Sequence, residues 1–173
     1  MKKSHIIAAI TSGFALCAIA GGALGAIAMD VIHNQENTRS PFASSTMVPQ
    51  GYNTYYISGS GPAVVDQNAP AGSSARFGDI GAQTTSTLAG LKVKLAALGL
   101  TFNDVVAAHV FVGTDPASNG AKSDFAAMNV AWLKVFGTAE YPNKPARSSM
   151  QAAYLVNPGA LVEIEFTAVK KAN

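Results

Sequence analysis

Residues 79–112 read DIGAQTTSTLAGLKVKLAALGLTFNDVVAAHVFV, and this stretch decides the fold because it joins an amphipathic helix to a buried strand. Asp79 is a typical helix N-cap, and Gly99 predicts the end of the helix. Residues 105–112 follow as an apolar strand that is interrupted only by His109. The helix positions that share one face are separated by steps of 4, 4, 3, 4 and 3 residues: Ile80, Thr84, Leu88, Leu91, Leu95 and Leu98.

The flanking segments complete an α+β pattern. Residues 52–58 predict a strand, and residues 63–65 predict a short second one. A second helix is expected from about residue 124 to 136, and two last strands are expected at 148–155 and 161–169. The order β-β-α-β-α-β-β indicates a mixed sheet with both helices packed on one face. The apolar face of the second helix holds Phe125, Met128, Trp132 and Phe136.

Residues 1–28 have the pattern of a signal peptide. Lys2 and Lys3 precede an uncharged run over residues 6–28, which ends in the small-x-small sequence that a signal peptidase cuts. The run is also long enough for an uncleaved membrane anchor, which needs roughly 20 apolar residues. Either interpretation predicts an exported domain, periplasmic or secreted. Residues 29–50 are interpreted as a linker and an irregular N-terminal arm, and residues 51–173 as the domain.

Charge and cysteine content exclude several classes of function. The chain has 12 basic and 10 acidic residues, and its net charge of +2 comes from Lys2 and Lys3 in the predicted signal peptide. The remainder is formally neutral and has no basic stripe, so nucleic-acid binding is not expected. The single cysteine, Cys17, also lies in that segment. The domain therefore has no thiol nucleophile and no disulfide.

The histidines do not indicate a metal centre. His33 and His109 remain after residue 28, and neither has a cysteine or carboxylate at metal-ligand spacing. We interpret His109 as a packed or interface residue. No metal and no cofactor are expected.

Arg147 stands out in the segment Pro145-Ala146-Arg147-Ser148-Ser149, which leads into a strand. A guanidinium offers paired N–H donors that fit a carboxylate as a bidentate fork. Two alternatives without a ligand site remain open. Arg147 could form a surface ion pair with Glu163 or Glu165, and these glutamates could simply occupy the solvated face of the last strand. The residues alone suggest a small-carboxylate site.

Six segments together resemble the reactive intermediate deaminase family (RidA/YjgF, also described as endoribonuclease L-PSP-like). The likeness covers about residues 40–170, and the segments keep the family's order and spacing. Any one segment is weak evidence for the family, but the six together are specific for it. They are ISG at 57–59, GDIGAQT at 78–84, DVV and VFV within 104–112, the F…N…W…F helix at 125–136, PARS at 145–148 and LVEIE at 161–165.

The resemblance implies a chorismate-mutase-like fold, assembled as a homotrimer with a cleft at each subunit interface. It implies hydrolysis of enamines or imines of small 2-imino acids to 2-keto acids and ammonia, without a cofactor. Arg147 would bind the substrate carboxylate, and Glu163 would hold and polarise the attacking water. The matching positions that would line or support the pocket are Ser58, Gly59, Asn129, Ser149 and, from the arm, Phe42.

Two positions depart from the family pattern: Ser149 stands where many members have cysteine, and Phe42 where the aromatic residue is often tyrosine. The first hypothesis is an exported imine deaminase. The second is a non-catalytic module that binds a carboxylate metabolite in the same cleft. A ribonuclease is a third reading, and it has the least support because the domain is formally neutral and offers no histidine pair for RNA cleavage.

Overall fold

The computed structural model describes residues 29–114 and 123–172, so the predicted signal peptide over residues 1–28 lies outside the described residues. None of the helices within the described ranges is long and apolar enough to cross a membrane. The helices are α1 (Ile80–Ala97) and α2 (Phe125–Trp132). The strands are β1 (Ile32–Asn34), β2 (Ser45–Met47), β3 (Tyr52–Ser60), β4 (Val105–Val112), β5 (Ala146–Gln151) and β6 (Val162–Lys171).

The main sheet has the strand order β3-β6-β4-β5. The β3–β6 and β4–β6 pairs are antiparallel, whereas β4–β5 is parallel. The predicted α+β fold with a mixed sheet and two helices is therefore confirmed for the described residues. Both helices contribute to the core on one face of this sheet, and the other face, which we call the open face, carries the partly exposed side chains of β6.

Alternation along β6 shows how the two faces differ. Val162, Ile164 and Phe166 are buried in the core, whereas Glu163 and Glu165 are half-buried on the open face. Helix α1 packs its predicted stripe against the core from Ile80 to Leu95, but Leu98 is 46% exposed. Leu98 was wrongly assigned to the stripe because the helix ends at Ala97, so this side chain follows the cap.

Several predicted boundaries were wrong. Residues 63–65 form no strand; the N–H of Val65 instead donates to the carbonyl of Arg76, at the end of a short 3-10 helix (Ser74–Arg76). Helix α2 ends at Trp132, because the next turn tightens through i→i+3 bonds, yet Phe136 is still fully buried. Strand β5 begins two residues earlier than expected and ends at Gln151.

The N-terminal arm is more ordered than expected. Within residues 29–50, β1 and β2 pair as an antiparallel ribbon. Between them, the N–H of Ala43 donates to the carbonyl of Pro145 at 3.0 Å, and Ala43 forms an isolated parallel bridge with Ala146. The arm therefore lies beside the start of β5, next to Arg147.

Candidate functional site

Arg147 lies on β5 with its guanidinium against α2. Its Nη2 donates to Asn129 Oδ1 at 2.6 Å, and Nη1 lies 3.7 Å from Met128 Sδ. No carboxylate of the described residues lies within ion-pair distance of Arg147, since the ion pairs found there are Lys92–Glu140 and His109–Glu165. The ion-pair interpretation of Arg147 was therefore wrong.

Two aromatic rings lie against the guanidinium. Its carbon lies 4.7 Å from the ring centroid of Trp132 and 5.1 Å from that of Phe42. Trp132 is fully buried, and its indole N–H donates to the carbonyl of Pro41, which fixes the arm next to Phe42. Arginine over an aromatic face is favourable, and the two rings also shield the charge from water.

Burial leaves this cation short of partners. Desolvation lowers the pKa of Arg147 well below its usual value, to about 10, so the group stays protonated at neutral pH. Its buried Nε has no hydrogen-bond partner among the described residues. A guanidinium has five N–H donors, and the described contacts engage two of its nitrogens. Donors therefore remain for an acidic ligand. A cavity of about 280 Å³ at this edge of the sheet is lined by Phe42 and by neighbouring residues of β4 and β5, which include His109 as well as Arg147.

Glu163 rests against β3 at Gly59. A Cβ atom on Gly59 would collide with the Glu163 carboxylate, so this close approach requires glycine. The register of β3 and β6 shifts between Ile57 and Ser60, which places Gly59 in an irregular part of the strand. Both residues line a cavity of about 370 Å³, together with Gly61, Pro62, Leu155, Val156, Asn157, Ala160 and Val162.

Arg147 and Glu163 lie on opposite faces of the sheet. Arg147 is in register with Ala108 of β4, and Glu163 is in register with Phe111 of the same strand. Ala108 and Phe111 are three positions apart, and side chains at odd spacing point to opposite faces. Within one chain these two predicted catalytic residues therefore do not meet.

The other predicted residues divide in the same way. Phe42 and Asn129 contact Arg147, whereas Gly59 contacts Glu163. Ser149 is exposed on β5, two residues after Arg147 and on the same face. Ser58 lines a cavity of about 350 Å³ on the open face, which is also lined by His109 and Glu165.

His109 differs from its interpretation as a packed residue. Its side chain is 53% exposed, and Nδ1 lies 2.7 Å from Glu165 Oε1. The alternation of β4 puts it on the open face, where an interface role stays a prediction. Within the described ranges, no three His, Cys, Asp or Glu side chains converge on a metal-sized space.

Trp132 is the site residue that sequence reasoning missed, because its apolar character assigned it to the core. The signal was its spacing from Asn129: three residues apart on a helix, the two side chains share a face. The ring does pack in the core, stacked on Phe136 at 4.4 Å, and it also faces the guanidinium.

Comparison with known proteins then identifies the family. The profile described as endoribonuclease L-PSP matches residues 38–170, which include every site residue discussed above. The chain belongs to this family. Its solved structures include a Rid family protein from Yersinia pestis, with a TM-score of 0.59 and 26% identity over 82% of this chain and 100% of that one. The YjgF gene product of E. coli has a TM-score of 0.51 and 30% identity over 72% and 85% of the two chains.

Curated relatives of the L-PSP family match over a shorter span. A RutC family protein from Haemophilus influenzae is 38% identical over 93 residues, and one from Pyrococcus horikoshii is 34% identical over 94 residues. Each match covers 54% of this chain and 65% of the relative. The match thus spans somewhat less than two thirds of the length of these relatives.

Proposed function

We propose that this L-PSP family chain is an imine deaminase that hydrolyses small 2-imino acids to 2-keto acids and ammonia. The observation that carries the proposal is the guanidinium of Arg147, which is protonated, half-buried and without a carboxylate partner among the described residues. Such a group gains strongly from a bound carboxylate, because an unpaired charge shielded from water is unfavourable. Substrates of this class carry one carboxylate beside the reacting carbon.

The second half of the proposed chemistry is the addition of water. Glu163 would hold a water molecule, accept a proton as the oxygen adds to the imine carbon, and return a proton to the nitrogen. In the resulting carbinolamine, the hydroxyl proton passes to the amine nitrogen, again through Glu163, as the C–N bond breaks and the C=O bond forms, which releases ammonia and leaves the 2-keto acid. Arg147 supplies position and charge, and the reaction is redox-neutral and needs no cofactor.

The separation of Arg147 and Glu163 supports an interfacial site. Since the two side chains face opposite sides of one sheet, we propose that Glu163 of a second copy meets Arg147 where chains assemble as a homotrimer. Exposed apolar side chains on the open face support this proposal, since Tyr56 is 84% and Met150 42% exposed. A monomer would then lack a complete site.

The test is ammonia release while an amino-acid oxidase generates 2-iminopropanoate in situ. The protein should accelerate conversion of the imine to pyruvate and ammonia, and Arg147→Ala and Glu163→Gln should each remove the acceleration. Arg39→Ala is the matched control, because it removes an exposed guanidinium from the arm. Rates equal to a protein-free blank would overturn the proposal.

A carboxylate-binding module without turnover is the second candidate. It is favoured by the same separation of Arg147 from Glu163 within one chain. Pyruvate would then raise the melting temperature of the wild type but not of Arg147→Ala, with no ammonia released above blank. RNA cleavage has less support, because residues 29–173 hold ten basic and ten acidic residues.

We also propose that the protein is exported, on the strength of the pattern over residues 1–28. Expression of the full chain in a bacterial host, fractionation and intact-mass measurement would test this. Cleavage after Ala28 predicts a periplasmic or secreted product that begins at Met29, whereas an anchor predicts the full mass in the membrane fraction.

A further inference from the structure

We infer that Lys144 is a positioning residue, which holds the N-terminal arm in place so that Phe42 covers the guanidinium of Arg147. The inference rests on the proposed function for its effect on binding, but its structural part can be measured without any activity. None of the sequence patterns pointed to Lys144.

Lys144 is unusual because its ammonium is buried with no carboxylate beside it. The residue is 7% exposed, and the described residues place no acidic group within ion-pair distance of it. Instead, Nζ donates to two carbonyl oxygens of the arm, Ser40 at 2.8 Å and Thr38 at 3.1 Å. A buried ammonium needs such partners, because leaving it unsatisfied would be costly. These two hydrogen bonds from the ammonium therefore hold residues 38–40 in place.

The main chain of Lys144 binds the same arm. Its N–H donates to Gln35 Oε1 at 2.9 Å, and its carbonyl lies 2.8 Å from His33 Nδ1. Gln35 also donates through Nε2 to the carbonyl of Pro142 at 3.2 Å. One residue thus contacts the arm at four points over residues 33–40.

Gly137 makes room for the lysine side chain. It has φ of 80°, a conformation that suits glycine, and a Cβ atom there would come 2.5 Å from Lys144 Cε. The lysine stem passes over this glycine on its way to the arm. A larger residue at position 137 would therefore force the Lys144 side chain to move.

Residues 38–40, which Lys144 holds in place, lead directly to the site around Arg147. Ser40 accepts the ammonium bond through its carbonyl and is followed by Pro41, whose carbonyl binds the indole of Trp132. Phe42 comes next, with its ring on the guanidinium. If the arm detached, water would reach the guanidinium, and its attraction for a carboxylate would weaken in the higher dielectric.

The test compares Lys144→Met, which keeps the length of the stem but cannot donate, with Lys170→Met. Lys170 is the matched control, because its Nζ also donates to a carbonyl, that of Gly99 at 2.8 Å, but on the exposed surface. Trp132 is the only tryptophan in the chain, so its fluorescence reports on this site alone. Circular dichroism of each variant checks the fold.

Lys144→Met should shift Trp132 emission to longer wavelength and speed amide hydrogen exchange in residues 33–44. Pyruvate affinity should fall, because water then reaches the guanidinium and weakens its attraction for the carboxylate. In the imine assay KM should rise while kcat changes little. Lys144→Arg, which keeps donors and charge, should recover most of the wild-type behaviour, and Lys170→Met should match the wild type throughout.

Unchanged exchange in the arm of Lys144→Met would overturn the inference, and so would a loosened arm with unchanged pyruvate affinity. If the wild type proves to bind no pyruvate, the proposed function fails, and Trp132 emission and arm exchange alone decide the role of Lys144. If Lys144→Met does not fold, Gln35→Ala tests how the Lys144 main chain holds the arm, since it removes the acceptor for the Lys144 N–H and the bond to Pro142. Unchanged arm exchange in that variant would then overturn the inference.

Discussion

At the scale of single residues, the site depends on one guanidinium held by an amide and two rings. Arg147, Phe42 and Asn129 were predicted from the sequence, and the structure brings all three together. The sequence could not place Glu163 relative to them, because its distance from Arg147 depends on strand order and register. Lys144 was also beyond prediction, since a lysine in a proline-containing loop gives no sign that it is buried.

Arg147→Lys should weaken pyruvate binding by about 10- to 150-fold, which corresponds to loss of one charge-assisted hydrogen bond. Lysine keeps the charge but cannot offer two parallel donors in one plane. Isothermal titration calorimetry would measure the change, with Arg39→Lys as the control. An affinity within twofold of the wild type would show that Arg147 does not bind the carboxylate through two parallel hydrogen bonds.

The pH dependence of binding follows from the pKa of Arg147, which burial lowers to about 10. Pyruvate affinity should be flat from about pH 6 to pH 9 and fall above pH 10, where the folded protein loses this proton. The pH dependence of stability that this group causes has the opposite sign. Between pH 10 and the ordinary arginine pKa the unfolded chain binds more protons, so this group alone makes stability rise with pH. Titrations at several pH values, with Arg147→Ala as the reference, would check both.

At the scale of elements, long periodic segments were predictable and their ends were not. Strand β4 was predicted with its observed bounds, and α1 nearly so, because a cap and a regular apolar stripe agree there. The second helix was predicted too long because the apolar period continues to Phe136 after the backbone has left the α-helix. Residues 63–65 have strand-like composition, but Val65 bonds to a short 3-10 helix at Arg76, and no local sequence pattern indicates that contact.

Gly59→Ala should preserve the fold and abolish hydrolysis, because the new methyl group would displace the Glu163 carboxylate. Gly90→Ala is its matched control: Gly90 lies inside α1 with nothing within 4 Å of a new Cβ atom. That substitution should raise the free energy of unfolding by about 0.5–1 kcal/mol and leave activity unchanged. Urea unfolding and the imine assay would measure the two effects. Full activity in Gly59→Ala would contradict the proposed role of the Glu163 carboxylate in hydrolysis.

At the scale of the whole molecule, the two faces of the sheet differ. One is covered by α1 and α2, whereas the open face carries Tyr56, His109 and Glu165. Alternation along the strands predicted this asymmetry. In the proposed trimer, the contacts of the open face would depend on surfaces of other copies, which sequence patterns in one chain do not report.

Tyr56→Glu should therefore prevent assembly, because it adds a charge to an exposed apolar position on the open face. The wild type should sediment at about three times the mass of one chain, and the variant at the mass of one. Val93→Glu is the control, since Val93 is 70% exposed on α1, away from this face. A monomeric wild type that still hydrolyses imines would contradict an interfacial site.

The edge of the sheet at β5 has a practical consequence. After Ala146, which bridges to Ala43, the outer side of β5 has no partner strand among the described residues, and Ser148–Gln151 are exposed. Unpaired backbone along an edge can template the addition of a foreign strand. Any substitution that frees the arm, or that dissociates the proposed trimer, should therefore promote aggregation at high concentration, so light scattering must accompany every measurement on such variants.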